Sequence, residues 1–299
     1  MFQEGVLLKN YSHYKIGGPA DYFSEPRTKK ELLSVLNFAA QKKIPIAVIG
    51  GGFNLLISDD GFRGLVIKPK LNFIKVSGTQ VTAGASVTLA RLIKKTLSKN
   101  LVGLEDFSGI PGTIGGALFI NIHYYKALLG NFVKWVECLD YNGNTIIIKE
   151  GDNDWKYEFS KIKKGKLIVV RACLKLKKVE QREKWMAVGK SQEIIRTRSY
   201  RYPEEPSAGS VFQNIDKNRF YGAPSISAAY YIDKLGMKGT RIGGAEISCR
   251  HANMIINKGN ASAKNVIQLA SLVKNKVKRK FDIELKPEIQ FIGFKNKPF

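Results

Sequence analysis

The 299-residue chain has no apolar run approaching the roughly 18 residues a membrane-spanning helix needs. Its first residues, MFQEGVLLKN, have neither a basic start nor a continuous apolar stretch. The expectation is a cytoplasmic protein without a membrane partner. Cysteine is scarce: Cys138, Cys173 and Cys249 stand far apart, with no CxxC or Cys/His spacing, which argues against a disulfide framework and against a metal site. All three are expected as reduced, half-buried thiols in strands. The histidines, His13, His123 and His251, are equally dispersed and read as local hydrogen-bonding residues. Acidic residues are also under-represented, 25 against 49 Lys and Arg, giving a net charge of +24. Those basic residues are spread along the chain rather than gathered into a stripe with interleaved aromatics, so a nucleic-acid partner is not expected. The densest cluster, KNKVKRKF (Lys274 to Phe281), falls on a helix whose Val266, Leu269, Val273 and Val277 face inward. It reads as a solvated face that draws in small anions.

What the chain does have is a 44% hydrophobic content, enough to bury a full core in two or three compact units. A helix is expected from about Thr28 to Lys43, opened by a capping box of Thr28 with Glu31 and carrying Leu32, Val35, Leu36 and Ala39 on one face. The buried strand IPIAVIG follows it and runs into Gly50, Gly51 and Gly52. Strands are expected in LVIKP, NFIKVSG and QVTAGAS, then a second helix from about Ser86 to Lys99. KWVECLDYNGNTIIIK reads as a hairpin turning at Asn142-Gly143, a pair that tolerates positive φ, and KLIVVRACLKLK as a further strand. The helix EKWMAVGKSQEIIRTR marks a change of character near Lys178. Beyond it come the helix SISAAYYIDKLGMKG, strands around RIGGAEIS and NMIIN, the basic helix, and a last strand, EIQFIG. The pattern is α+β, with residues 1–178 and 179–299 as its two parts.

Two glycine-rich turns each follow apolar segments, GGGFN (Gly50 to Asn54) and GIPGTIGG (Gly109 to Gly116). Such loops expose successive backbone N–H groups and let a phosphate approach where a Cβ would block it. Neither ends in GK[ST], and neither is GxGxxG in a βαβ unit, so a P-loop and a Rossmann site are both excluded. Each alone reads as a tight turn or as a cradle for a pyrophosphate. In PSAGSVFQN, Ser210 follows Gly209 on a tight turn, without a GxSxG elbow or a histidine partner in the local sequence. It reads as a turn cap or as a hydroxyl able to give a proton. Glu288, behind Pro287 at the head of EIQFIG, reads as a solvent-exposed carboxylate or as a site residue.

Taken together, YKIGGPADYF, IGGGFNLLISDDGFRG, VTAGAS, LEDFSGIPGTIGGA, PSAGSVFQN, GMKGTRIGGAEIS, HANMIINKGNASAKNVIQL and LKPEIQFIG resemble the UDP-N-acetylenolpyruvoylglucosamine reductase family of peptidoglycan synthesis, in its short form. The resemblance runs in order from about residue 10 to residue 293. It implies an FAD-binding module of the vanillyl-alcohol-oxidase/PCMH type over residues 1–178, with subdomains of about 1–70 and 71–178, and a C-terminal α+β substrate-binding domain over 179–299. It implies bound FAD, NADPH as hydride donor and a UDP-linked enolpyruvyl amino sugar as substrate. The protein is expected as a monomer. The cofactor would be held by Ile49, Gly50, Gly51, Gly52, Phe53 and Asn54, together with Gly109, Ile110, Pro111, Gly112, Thr113, Gly116 and Ala117. Ile16 to Pro19, Ala83 to Ala85 and the HANMIIN segment would join them. Ser210 would give the proton to the substrate, Glu288 would stabilise or polarise the intermediate, and Asn121, Tyr125 and Tyr157 would lie on the substrate side.

Three departures accompany the resemblance. Where the family has a catalytic arginine in Tyr-Arg-x-Ser-x-Phe, this chain has Tyr157, Glu158, Phe159, Ser160, Lys161 and Ile162. Where the family continues Asn-Ala-Gly-Ala-Tyr-Gly, this chain has Asn121, Ile122, His123, Tyr124, Tyr125 and Lys126. Phe53 stands where the family has a small hydroxylic residue. The exchange at Glu158 admits a second reading, a flavin- or substrate-binding relative with impaired turnover; in the first reading Lys156, Lys161, Arg198 or Arg201 supplies the missing cation.

Overall fold

The computed structural model describes residues 2–124, 127–152, 155–215 and 227–299. The chain divides into two compact units, one of Met1–Gln3, Tyr22–Gly51 and Gly64–Arg198, the other of Glu4–Asp21, Gly52–Arg63 and Ser199–Phe299.

In the first unit, helix α1 (Lys29–Lys42) buries Leu32, Val35, Leu36 and Ala39, and its N-cap Thr28 accepts from the Glu31 N–H. The reciprocal half of the expected capping box reaches one residue further back: Glu31 accepts from the Arg27 N–H at 2.8 Å. The strand Ile46–Val48 lies parallel beside Leu65, Val66 and Ile67, and this pair packs with α1 around one apolar cluster. The second apolar cluster of this unit is built on an antiparallel sheet in the order Thr145–Lys149, Val133–Leu139, Ile168–Lys175, Gln80–Gly84, Ile74–Ser77. Its hairpin turns where expected: Gly143 has φ of 86°, and Asp140 accepts from the N–H groups of Asn142 and Asn144.

Helix α2 (Leu89–Leu97) is shorter than its sequence pattern, because Thr88 rather than Ser86 provides the cap. Helix α3 (Ile114–Ile120) emerges directly from the second glycine turn, capped by Thr113 and ended by Asn121 in the left-handed region. The short helix α4 (Lys161–Lys164) and the long helix α5 (Gln181–Arg201) complete the unit, and the last residues of α5 belong to the second one.

The second unit carries an antiparallel sheet in the order Ser207–Ser210, Met254–Asn257, Ala245–Ile247, Arg241–Ile242. Helix α6 (Ala228–Lys234) and helix α7 (Ala263–Phe281) bury Ile232 and, along α7, Val266, Leu269, Ala270, Val273 and Val277. Each such burial contributes roughly 1.5–3 kcal/mol for a Val, Leu or Ile side chain. As expected, Lys278, Arg279 and Lys280 on α7 face solvent. Its N-terminus has a true capping box, Ser262 with Asn265, and the Asp59 carboxylate additionally accepts from the Ala263 and Lys264 N–H groups at 2.8 and 3.1 Å. The strand Gln290–Ile292 runs parallel to Leu55–Ile57, and Tyr14 and Leu56 from the early part of the chain are completely buried in this unit's core.

None of the thiols is half-buried as expected, and one also lies outside a strand. Cys138 and Cys173 are fully buried in strands, where burial raises Cys138 to about 12, but Cys249 is exposed and lies outside any strand. No helix among the described residues is long and apolar enough to cross a membrane, and no cluster of metal-ligating side chains occurs among them.

Candidate active site

The first glycine turn begins in the first unit, at the end of Ile46–Val48. Ile49 is buried and its N–H donates to the Ile67 carbonyl, so it anchors the turn from below. The side chain of Lys68 donates to the Gly50 carbonyl at 3.3 Å, and burial lowers this lysine below its ordinary range. The second glycine turn lies against the first within the same unit. A Cβ on Gly50 would stand 2.8 Å from Thr113 Oγ1 and 3.8 Å from the Gly116 backbone nitrogen, a closeness that only glycine permits. Gly112, with φ of 138°, has open space where a Cβ would point, and Gly109, Pro111 and Gly116 are exposed. Ile110 packs on the core below and Ala117 is buried in α3. The start of this turn is tied to α5 by Ser108 Oγ and Ser191 Oγ, 2.7 Å apart, while the Arg198 side chain lies alongside Gly109 and over the Tyr124 ring.

The rest of GGGFN belongs to the second unit. Gly52 sits so close to the Tyr11 carbonyl that a Cβ would approach it to 2.2 Å, and its own carbonyl accepts from the His13 N–H. The His13 ring packs on Phe53 with centroids 4.8 Å apart, and its Nδ1 lies 3.0 Å from the Ser207 carbonyl oxygen. Asn54 Nδ2 is buried and has no hydrogen-bond partner among the described residues. A buried amide donor without a partner costs about 1–3 kcal/mol, so Asn54 Nδ2 calls for an acceptor from water or a ligand. Within the first unit, the turn at Gly50 set against Thr113 and Gly116 suits a pyrophosphate-bearing cofactor such as FAD.

Ser210 and Glu288 come together in the second unit. Ser210 ends a strand that carries a bulge between Ser207 and Ser210, with Gly209 at φ of 73° turning the serine out of register. The next two residues are held firmly. The buried Asn253 accepts from the Phe212 N–H through Oδ1 and donates to the Phe212 carbonyl through Nδ2, while the Val211 N–H donates to the Asn253 carbonyl. The Glu288 N–H donates to the Val211 carbonyl at 2.8 Å, which places the carboxylate-bearing residue beside the residue that follows Ser210. Two residues on, the Gln290 N–H donates to the Asn54 carbonyl. The segment 288–290 therefore links the glutamate, the residue after the serine and the end of the first glycine turn. His251 lies in the turn before Met254–Asn257 rather than on the strand, stacked on Tyr202.

The expected substrate-side residues of the first unit divide. Tyr125 lies outside the described residues, as does Lys126. Asn121 is completely buried, and its amide is engaged at both ends, donating to the Lys156 carbonyl and accepting from the Gly130 N–H, each at 2.9 Å. It fastens the end of α3 to the segment carrying Tyr157. Tyr157 packs against the His123 ring, centroids 4.3 Å apart. Glu158 occupies the left-handed region at φ of 55°, its side chain only 2% exposed. Around its carboxylate stand His123 Nδ1 at 3.7 Å and Lys163 Nζ at 4.0 Å, and Lys163 also donates to the Glu158 carbonyl. Lys163 is a nearby cation that the sequence pattern did not single out. The usable signal was the simultaneous departure from the family at 123 and 158: those two positions meet.

Residues 20–149 match the family model described as FAD binding domain, and residues 201–292 match that described as UDP-N-acetylenolpyruvoylglucosamine reductase, C-terminal domain. Among curated proteins, the UDP-N-acetylenolpyruvoylglucosamine reductase of Clostridium novyi is 34% identical over 97% of this chain and 92% of its own length. That of Caldanaerobacter subterraneus subsp. tengcongensis is 36% identical over 99% of this chain and 96% of its own. Among solved structures, UDP-N-acetylenolpyruvylglucosamine reductase from Thermus caldophilus superposes with a TM-score of 0.81 at 30% identity, covering 98% of this chain and all of that one.

Proposed function

Since the chain belongs to the UDP-N-acetylenolpyruvoylglucosamine reductase family, we propose that it reduces UDP-N-acetylenolpyruvoylglucosamine to UDP-N-acetylmuramate, with FAD as bound cofactor and NADPH as hydride donor. The observation that carries the reading is the join within the second unit, where Glu288 is hydrogen-bonded to the residue after Ser210 and Gln290, two residues on, is hydrogen-bonded to Asn54. FAD, when bound, would supply the hydride relay between NADPH and C3 of the enolpyruvyl group. Charge then develops on C2 and its carboxylate, and a proton must reach C2. Ser210, turned out by the bulge and fixed from behind by Asn253, gives that proton. Glu288 polarises the same centre.

The glycine turns would hold the pyrophosphate through backbone N–H groups, and Asn54 would add a side-chain donor. Tyr157 stands on the substrate side, and Asn121 positions it from below. In functional terms residues 1–178 serve the cofactor and 179–299 the substrate. On this reading the protein serves peptidoglycan precursor synthesis, and its proposed setting is the cytoplasm, as a monomer. A reading of impaired turnover gains no support over this one: the segments carrying Ser210 and Glu288 are hydrogen-bonded to each other, and Lys163 stands 4.0 Å from the buried Glu158 carboxylate.

Anaerobic visible spectroscopy tests the assignment. The purified protein should show bound flavin that bleaches with NADPH and recovers when the enolpyruvyl sugar is added. Ser210→Ala should bleach at the wild-type rate but recover roughly 100- to 10,000-fold more slowly. Flavin that never reoxidises with this substrate, in the wild-type protein, would refute the function.

A further inference from the structure

On the reading that the glycine turns hold FAD, the first of them also shows how its donors are set, within the first unit alone. The strand Ile46–Val48 pairs in parallel with residues 65–67, and the pairing runs on through the Ile49 N–H, which donates to the Ile67 carbonyl at 2.9 Å. Pro69 has no N–H with which to extend it. Past that point the carbonyls of the turn need other donors. Gly50 finds one in Lys68, whose ammonium donates to its carbonyl at 3.3 Å. The lysine is held for this: its own N–H donates to the Ser24 carbonyl at 2.9 Å, and its side chain is half-buried. Lys70, two residues on, pairs instead with Glu25 at 3.1 Å.

The bond from Lys68 also fixes the far end of the peptide it touches. A trans peptide is planar, with its carbonyl and its N–H on opposite sides. Drawing the Gly50 carbonyl towards Lys68 therefore turns the Gly51 N–H away from the lysine, and that N–H has no acceptor among the described residues. Glycine at 51 leaves it uncovered by any side chain. Thr113 Oγ1, 2.8 Å from where a Cβ on Gly50 would stand, closes another side of the same residue. An ammonium on the oxygen polarises the peptide, which makes the N–H at its other end a stronger donor. We propose that Lys68 is a positioning residue for the cofactor: through the Gly50–Gly51 peptide it aims and strengthens the Gly51 N–H for an oxygen of the FAD pyrophosphate. Burial lowers Lys68 below its ordinary range, so keeping its charge here has a cost that an anion across the peptide offsets.

Flavin release from the holoenzyme tests this. Dilution followed by flavin fluorescence gives the Kd for FAD, and phosphorus NMR of the holoenzyme reads the pyrophosphate itself. Lys68→Met keeps the aliphatic stem and removes the donor. It should raise the Kd roughly 10- to 100-fold, the worth of a charge-assisted hydrogen bond, and move the pyrophosphate signals while the visible band of the flavin stays in place. Lys68→Arg, which restores a cationic donor, should recover most of the affinity. A lysine that only stabilised the fold would lower Tm in Lys68→Met and leave the phosphorus spectrum where it was. An unchanged Kd in Lys68→Met, or pyrophosphate signals that do not move, overturns the proposal. Should Lys68→Met not fold, Lys68→Gln, which lacks the charge, decides by the same two readings. Wild-type protein that holds FAD while Lys68→Met holds it equally well defeats this inference and leaves the cofactor reading standing; wild-type protein that binds no FAD defeats both.

Discussion

Glu158 shows how far a single residue can be read from sequence. Its position in Tyr157-Glu158-Phe159-Ser160 identifies it as a replaced arginine, but not that it is buried against His123 and Lys163, since the three are separated by up to 40 positions in the chain. The pocket is built for an anion. Glu158→Arg therefore places a second cation beside Lys163 in a buried site, and it should destabilise the protein by about 3 kcal/mol and lower turnover. Glycine at 123, as in the family pattern, removes the group that the arginine would meet. The pair His123→Gly with Glu158→Arg should then recover more than the sum of its single effects, measured as a double-mutant cycle on the urea midpoint and kcat. An additive cycle would show that the two positions evolved independently. By contrast, Ser210 and Glu288 were legible as candidates because each sits next to a residue of fixed backbone habit, Gly209 and Pro287. Their proximity was not, because it depends on a hydrogen bond between chain segments some 77 residues apart.

Among the elements, those with local punctuation were legible. Thr28 caps α1, Asn142-Gly143 turns the hairpin, and the apolar spacing of α7 gives its buried face. Helix α3 was not anticipated, because two glycines in its first turn disguise a helix whose stability comes from burying Ile114, Ala117 and Leu118 rather than from propensity. The N-terminus of α7 combines a local and a distant cap. Ser262 and Asn265 are readable from sequence, whereas Asp59 arrives from some 200 residues earlier and binds two more N–H groups. Asp59→Ala should cost about 1 kcal/mol, lowering Tm by roughly 2–4 °C in a chain of this size, with kcat unchanged. An unaltered Tm would mean that Ser262 alone satisfies the helix end.

For the molecule as a whole, the net charge of +24 is distributed over surface lysines, as on α7. The substrate and NADPH are both polyanions, so the field should accelerate their capture. kcat/KM is expected to fall about three- to tenfold between roughly 20 and 300 mM salt, with kcat nearly constant. A profile independent of ionic strength would remove steering from the account. The division of the chain has a further consequence, for synthesis. Glu4–Asp21 and Gly52–Arg63 belong to the unit completed by Ser199–Phe299, so they leave the ribosome well before the residues that bury Tyr14 and Leu56. At about 5–20 residues per second, those two segments wait for roughly 10–50 s. During that interval the nascent chain carries apolar surface with no place to go, which makes the early segments natural landing sites for a chaperone at the exit tunnel.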